Sequence, residues 1–90
     1  MYTKQATIVN ETGLHARPAS DFCRKAKGFQ SAITIKNPVS GAPAVNAKSV
    51  VMVLTLGAGK GTRVEISAQG DDEQEAVDAL AAFIDSGLGE

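Results

Sequence analysis

Residues 63–68 alternate strictly between polar and apolar side chains, and no other feature constrains the fold of the chain as tightly. The apolar residues Val64, Ile66 and Ala68 share one face, because side chains on a β-strand point to opposite faces in turn. The pattern therefore predicts a half-buried strand with one face in water. Strands of this kind are typical of antiparallel sheets that are covered on one side.

A helical period marks two other segments. The first runs from Ala16 to a stop at Gly28, with Pro18 in its first turn, where a missing N–H is tolerated. Its apolar residues are Ala19, Phe22, Cys23 and Ala26. The second begins at residues 71–72 and ends near Gly87. Its apolar stripe is formed by Val77, Leu80, Phe83 and Ile84.

Two polar residues are placed to cap helices. Asp72 and Glu75 have the spacing of a capping-box variant, so Asp72 is expected to cap the last helix. Ser49 precedes the apolar run 50–56, which Gly57 follows. The β-branched residues of this run favour a buried strand, whereas the serine and glycine at its ends fit a short helix. Local reasoning leaves both alternatives open.

Three further strands complete the order of elements. Residues 2–9 and 29–36 are rich in Thr, Ile and Val, and a short strand near residues 44–46 follows a turn-forming stretch. The predicted order is strand, helix, two strands, a short element, strand, helix.

Length and charge narrow the class of protein. Ninety residues suit one domain, so residues 1–90 are treated as a single unit. A net charge of −1 argues against nucleic acid as a partner, because backbone binding requires a basic surface. No stretch approaches the roughly 18 apolar residues of a membrane span, and residues 1–7 lack the apolar core of a secretion signal. The lone Cys23 cannot form an internal disulfide. We expect a cytoplasmic protein without membrane or nucleic-acid partners.

The only histidine, His15, lies within the sequence GLHARPA, residues 13–19, just before the first predicted helix. Free backbone N–H groups at a helix N-terminus bind anions. The positive helix end also favours an uncharged imidazole, which leaves a ring nitrogen available as a nucleophile. We therefore predict that His15 accepts a phosphoryl group, and that the helix start around Ala16, Arg17 and Pro18 binds it.

Arg17 is predicted to stabilise the phosphoryl oxygens, because a guanidinium forms strong charge-assisted hydrogen bonds to phosphate. Gly13 permits the tight loop that brings the His15 ring over the helix end. Alternatively, His15 only caps the helix and Arg17 is a solvated charge. The complete heptapeptide favours the phosphate site.

The GLHARPA segment resembles the active-site loop of the HPr family, the histidine-containing phosphocarriers of the bacterial phosphoenolpyruvate:sugar phosphotransferase system. The sequence VNAKS at 45–49 with its following apolar run is similar to the family's regulatory-serine segment, and QGDDE at 69–73 to its entry into the last helix. The resemblance implies an α+β fold, an open-faced β-sandwich with a four-stranded antiparallel sheet in the order 1-4-2-3 and three helices on one face. It assigns residues 49–56 to a short helix. The stretch 36–44 is longer than the family pattern, which puts the third strand in question.

The same resemblance implies a carrier rather than an enzyme. His15 would accept the phosphoryl group from phosphorylated enzyme I and donate it to the IIA domains of sugar permeases, with no metal or cofactor and as a monomer. Two alternatives stay open. One is a regulatory paralogue that acts through Ser49, and the other is a carrier in a non-sugar phosphorelay.

Ser49 is the second candidate for modification. By resemblance, an HPr kinase/phosphorylase would phosphorylate it and the product would engage a catabolite-control repressor; otherwise Ser49 is a helix cap worth about 1 kcal/mol. An apolar run as short as 50–56 cannot bury every side chain. By the same resemblance, Val53 and Leu56 point inward. We assign the outward residues to partner docking: Val50, Val51 and Leu54.

Two other functional classes fit less well. Residues 57–62, GAGKGT, look like part of a nucleotide-binding loop, but Leu54 stands where that motif needs a glycine, and a strand pattern follows where it needs a helix. RNA-recognition modules share a similar element order, but they stack bases on sheet aromatics, and this chain has one tyrosine, three phenylalanines and no tryptophan.

Overall fold

The computed structural model describes residues 1–89, and its four strands form one antiparallel sheet. The strands are β1 (Tyr2–Thr7), β2 (Ala32–Lys36), β3 (Val45–Asn46) and β4 (Arg63–Gln69), arranged in the order β1-β4-β2-β3. Strand β4 pairs with both β1 and β2, and the two-residue β3 pairs with the outer side of β2. The predicted sheet order 1-4-2-3 is confirmed, including the short third strand.

The alternation in β4 divides the sheet into a covered face and an open face. Val64, Ile66 and Ala68 are at most 2% exposed. Their neighbours across the ladder on the same face include Ala6, Ile33 and Ile35, which are buried as well. The polar residues of β4 lie on the opposite face, where Arg63 and Gln69 are exposed. The prediction of one buried and one solvated face is therefore confirmed.

Three helices pack against the covered face: α1 (Ala16–Lys27), α2 (Val50–Leu54) and α3 (Glu73–Asp85). The predicted apolar stripes supply the core, with Phe22 and Cys23 from α1 and Leu80 and Ile84 from α3. Burial raises the pKa of the Cys23 thiol, as expected for a cysteine that acts as a core residue. Among residues 1–89, no helix has the length and apolar character to cross a bilayer.

The segment after Ser49 is a short helix, as the resemblance implied. The Ser49 hydroxyl oxygen accepts a hydrogen bond from the Met52 amide at 3.3 Å, which is the contact of an N-cap residue. Val53 is fully buried and Leu56 is partly buried against the core. The helix is shorter than predicted, because its regular part ends at Leu54.

Asp72 occupies the N-cap position of α3, as expected, but the prediction that its side chain caps the helix is wrong. Its side chain makes no cap hydrogen bond and instead accepts hydrogen bonds from the backbone amides of Gln30 and Ser31, at 2.9 and 3.0 Å, and from the Ser31 hydroxyl. The Ser31 hydroxyl and the Gln30 amide hold the pKa of this carboxyl below its ordinary value. Residues 29–31 therefore turn toward the start of α3, and β2 begins at Ala32, three residues later than predicted.

Candidate functional site at the start of helix α1

His15 occupies the N-cap position of α1 and is exposed to solvent. Its backbone is extended, with φ −133° and ψ 158°, and its side chain makes no capping hydrogen bond. The two residues before it are not helical. The imidazole therefore stands at the open end of a helix, where a partner protein can reach it.

The first turn of α1 provides donors and positive charge close to His15. A helix leaves its first N–H groups without intrahelical partners, and here Ala16 and Arg17 carry such groups whereas Pro18 has none. The Arg17 side chain is exposed, and it forms no ion pair within residues 1–89. The first turn contains no acidic residue that would compete for the guanidinium.

Ala16, the first residue of α1, has a φ of 53°, in the left-handed region. An L-residue with a Cβ atom pays about 1–2 kcal/mol for this conformation. Strained residues of this kind concentrate at functional sites. Sequence reasoning missed it, because an alanine at a helix start carries no signal of positive φ.

The loop before His15 is held from two sides. Leu14 is fully buried, and its amide donates a hydrogen bond to the carbonyl oxygen of Ala58 at 2.8 Å. From the other side, the Asn10 side-chain amide donates to the Gly13 carbonyl oxygen at 3.1 Å. Gly13 itself has a φ of 68°, the conformation for which glycine was predicted there. The Ala58 contact was not predictable from the sequence, because only the fold brings its main chain to Leu14. The Asn10 contact spans three residues, but nothing in the sequence showed that its side chain turns toward Gly13.

Helix α2, which packs beside α1, leaves an apolar surface exposed. Val51 is 71% exposed, Met52 41% and Leu54 39%. Val50, which was assigned to docking, is partly buried against the core instead. Met52 was not assigned a role and belongs to this surface. We call the three exposed residues Val51, Met52 and Leu54 the α2 patch.

The exposed side of α1 is basic. Arg17, Arg24 and Lys27 recur at spacings of seven and three, which places them on one side of the helix. Arg24 lies 3.5 Å from Asp21, an exposed contact that neutralises only part of this charge. We call these three residues the α1 basic stripe.

The fold and the exposed histidine at the helix entrance define a class of small phosphocarrier domains. The sequence model of one protein family, described as "PTS HPr component phosphorylation site", matches residues 2–86 of the chain. The chain therefore belongs to the HPr family, the phosphocarriers of the phosphotransferase system.

Individual relatives cover nearly the whole chain. The phosphocarrier protein HPr of Vibrio cholerae is 46% identical over 85 residues, which span 94% of this chain and 96% of the relative. The HPr-like protein Crh of Halalkalibacterium halodurans is 41% identical over 85 residues, 94% of this chain and 98% of that protein. The crystal structure of HPr-C-His from Thermoanaerobacter tengcongensis superposes with a TM-score of 0.92 at 43% identity, covering 100% of this chain and 98% of that one.

Proposed function

We propose that this protein accepts a phosphoryl group on His15 from phosphorylated enzyme I and donates it to the IIA domains of sugar permeases. The observation that carries the proposal is the exposed His15 side chain at the N-cap of α1, free of any capping hydrogen bond. In the transfer, an uncharged ring nitrogen attacks phosphorus, and the bond from phosphorus to enzyme I breaks. A nucleophile of the IIA domain then attacks the same phosphorus, and the bond from phosphorus to the His15 nitrogen breaks, which restores the free ring.

The start of α1 stabilises the phosphorylated product. The free N–H groups of Ala16 and Arg17 and the helix dipole favour negative charge at this end. Arg17 adds a guanidinium with no acidic partner in the described part of the chain. Charge-assisted hydrogen bonds of this kind are roughly twice as strong as neutral ones.

The partner surface combines the α2 patch with the α1 basic stripe. Both lie on helices that pack side by side, and the α1 stripe begins two residues after His15. An apolar centre flanked by positive charge fits a partner with an apolar surface and acidic residues around it. Enzyme I and the IIA domains would use the same surface in turn.

The test of the acceptor role is labelling with phosphoenolpyruvate in the presence of enzyme I. The wild-type protein is expected to gain one acid-labile phosphoryl group per chain, and His15→Ala none. His15 is exposed and makes no cap bond, so this variant should keep its circular dichroism spectrum. Retained labelling in a folded His15→Ala protein would remove the proposed site.

Ser49 supports a second, regulatory candidate. Its hydroxyl caps α2 two residues before the α2 patch begins, so a phosphate there would add about −1.5 to −2 charges beside the docking surface. That charge would repel an acidic partner, and the modified protein would serve a catabolite-control repressor instead. Incubation with ATP and an HPr kinase/phosphorylase tests it, with Ser49→Ala as the control. An unlabelled wild-type protein would leave Ser49 with the role of a cap alone.

We propose that the relay is the one for sugar uptake, with a non-sugar phosphorelay as the alternative. Transfer rates should be compared between sugar-specific IIA domains and the IIA-type acceptor of a non-sugar phosphorelay. The acceptor that is phosphorylated faster identifies the relay in which the carrier acts.

We further propose that the carrier acts as a monomer in the cytoplasm. Sedimentation at micromolar concentration should give a single species of about 9.3 kDa, and a dimer there would contradict this.

A further inference from the structure

The glycine-rich segment 57–62, which resembles a nucleotide-binding loop only superficially, lies directly against the loop that carries His15. The segments that follow β1 and precede β4 stay paired. The Ile8 amide donates to the Thr62 carbonyl oxygen at 2.9 Å, and the Gly61 amide donates to the Ile8 carbonyl oxygen at 2.7 Å. Further along, the Leu14 amide donates to the Ala58 carbonyl oxygen at 2.8 Å. Segment 57–62 therefore forms one wall of the His15 loop.

Gly13 shows how closely the two backbones approach. A Cβ atom at this position would lie 2.6 Å from the Ala58 carbonyl oxygen and 2.6 Å from the Gly59 Cα atom, both of them main-chain atoms. Ala58 is itself fully buried, which limits its ability to retreat. Segment 57–62 and the His15 loop therefore pack so closely that no space is left for a methyl group at Gly13.

We propose that Ala58 and Gly59 are positioning residues for phosphoryl transfer, forming a platform that fixes the height and direction of His15 above the start of α1. This inference rests on the proposed function of His15. The platform acts through Leu14, whose amide is bonded to Ala58 and whose buried side chain anchors the residue before the imidazole. Small displacements of reacting groups cost large factors in rate, so the platform contributes to turnover rather than to partner binding.

Gly13→Ala tests the platform, with Gly41→Ala as the matched control. Both glycines have positive φ, 68° and 75°, but a Cβ atom at Gly41 meets nothing within 4 Å. For Gly13→Ala we expect kcat of phosphorylation by enzyme I to fall by about 10- to 100-fold with KM unchanged, because the α2 patch and the α1 basic stripe are intact. Gly41→Ala carries the same backbone strain and should transfer at the wild-type rate.

A second pair of variants decides the matter if Gly13→Ala does not fold. Ala58→Gly keeps the platform carbonyl but loosens its backbone, whereas Ala68→Gly removes a buried methyl group at the far end of β4. We expect faster hydrogen exchange at the Leu14 amide and lower kcat in Ala58→Gly only. Unchanged Leu14 exchange in Ala58→Gly, or equal kcat for Gly13→Ala and Gly41→Ala, would overturn the platform. Absence of labelling in the wild-type protein would instead refute the acceptor role, and Leu14 exchange would still show whether the platform holds the loop.

Discussion

His15 and Ala16 are adjacent residues that differ in how far the sequence reveals them. The position of His15 at a helix start follows from Pro18, the apolar period after it and Gly28, so the candidate acceptor could be predicted. The left-handed backbone of Ala16 could not be, since positive φ is usually marked by glycine or asparagine. Chemistry that depends on residue type is readable from the sequence, whereas backbone strain depends on the surrounding fold.

The strain at Ala16 predicts that Ala16→Gly stabilises the protein. Glycine removes the left-handed penalty of about 1–2 kcal/mol, but the greater entropy of the unfolded chain lowers stability by roughly 0.4–1 kcal/mol. The free energy of unfolding should therefore rise by about 0.8 kcal/mol. Urea denaturation measures the change. Ala82→Gly, at an exposed position in α3, is the control and should lose about 1 kcal/mol. A comparable loss in Ala16→Gly would show that the strain is not present.

Arg17→Ala should slow transfer without unfolding the protein. The exposed guanidinium forms no ion pair within residues 1–89, so its removal breaks no contact of the resting state that would stabilise the fold. A charge-assisted contact to phosphate is worth about 1.5–3 kcal/mol, and the exposure of Arg17 to solvent places the expected loss in kcat at the low end, near tenfold. Arg63→Ala, on the open face of β4, is the matched control. Equal rates for both variants would make Arg17 incidental.

Helix α2 shows why single elements are harder to predict than single residues. Val50, Val51 and Val53 favour strands by propensity, and only the burial of Val53 together with the Ser49 cap selects the helix. The start of α3 shows the same limit, because the Asp72 side chain binds residues 30–31, about forty positions away in sequence, rather than its own helix. At α2 a local cap and a tertiary contact together outweigh β propensity, and at α3 tertiary contacts override the capping rule.

The exposure of α2 predicts a selective binding defect in Val51→Asp. The side chain is 71% exposed, so the variant should fold, but a charge in the α2 patch must be desolvated when a partner docks. We expect KM for phosphorylation by enzyme I to rise about tenfold, equivalent to 1.4 kcal/mol, with little change in kcat. Val39→Asp, 88% exposed in the loop before β3, is the control. A normal KM in Val51→Asp would place docking elsewhere.

At the scale of the whole molecule, acidic residues of α3 fasten the edge strand β1. Asp78 accepts a hydrogen bond from the Tyr2 hydroxyl at 3.0 Å and pairs with Lys4 at 2.9 Å, and Asp85 accepts one from the Thr7 amide at 3.2 Å. The periodicity of the hydrophobic residues predicted the order of strands and helices along the chain. The sheet order came only from the family resemblance, because local patterns do not encode which strands pair.

These contacts predict acid sensitivity. Hydrogen bonds from Lys4 and Tyr2 lower the pKa of Asp78, and those from Ser31 and Gln30 lower the pKa of Asp72. Such carboxyls stabilise the folded protein fully above their ordinary pKa, about 4, and lose this contribution as the pH falls below it toward the folded-state pKa. The midpoint temperature of thermal unfolding should therefore decrease as the pH is lowered below about 4. In Asp78→Asn this decrease should be less steep, because one of these carboxyls is missing. Parallel pH profiles for wild type and variant would contradict this assignment.

The most direct measurement of the central claim is tandem mass spectrometry of the protein after reaction with phosphoenolpyruvate and enzyme I, with the sample kept from acid. We predict an added phosphoryl group on the fragment that contains residues 13–19, located on His15. A phosphoryl group on Ser49 or on any other residue, with His15 unmodified, would contradict the account.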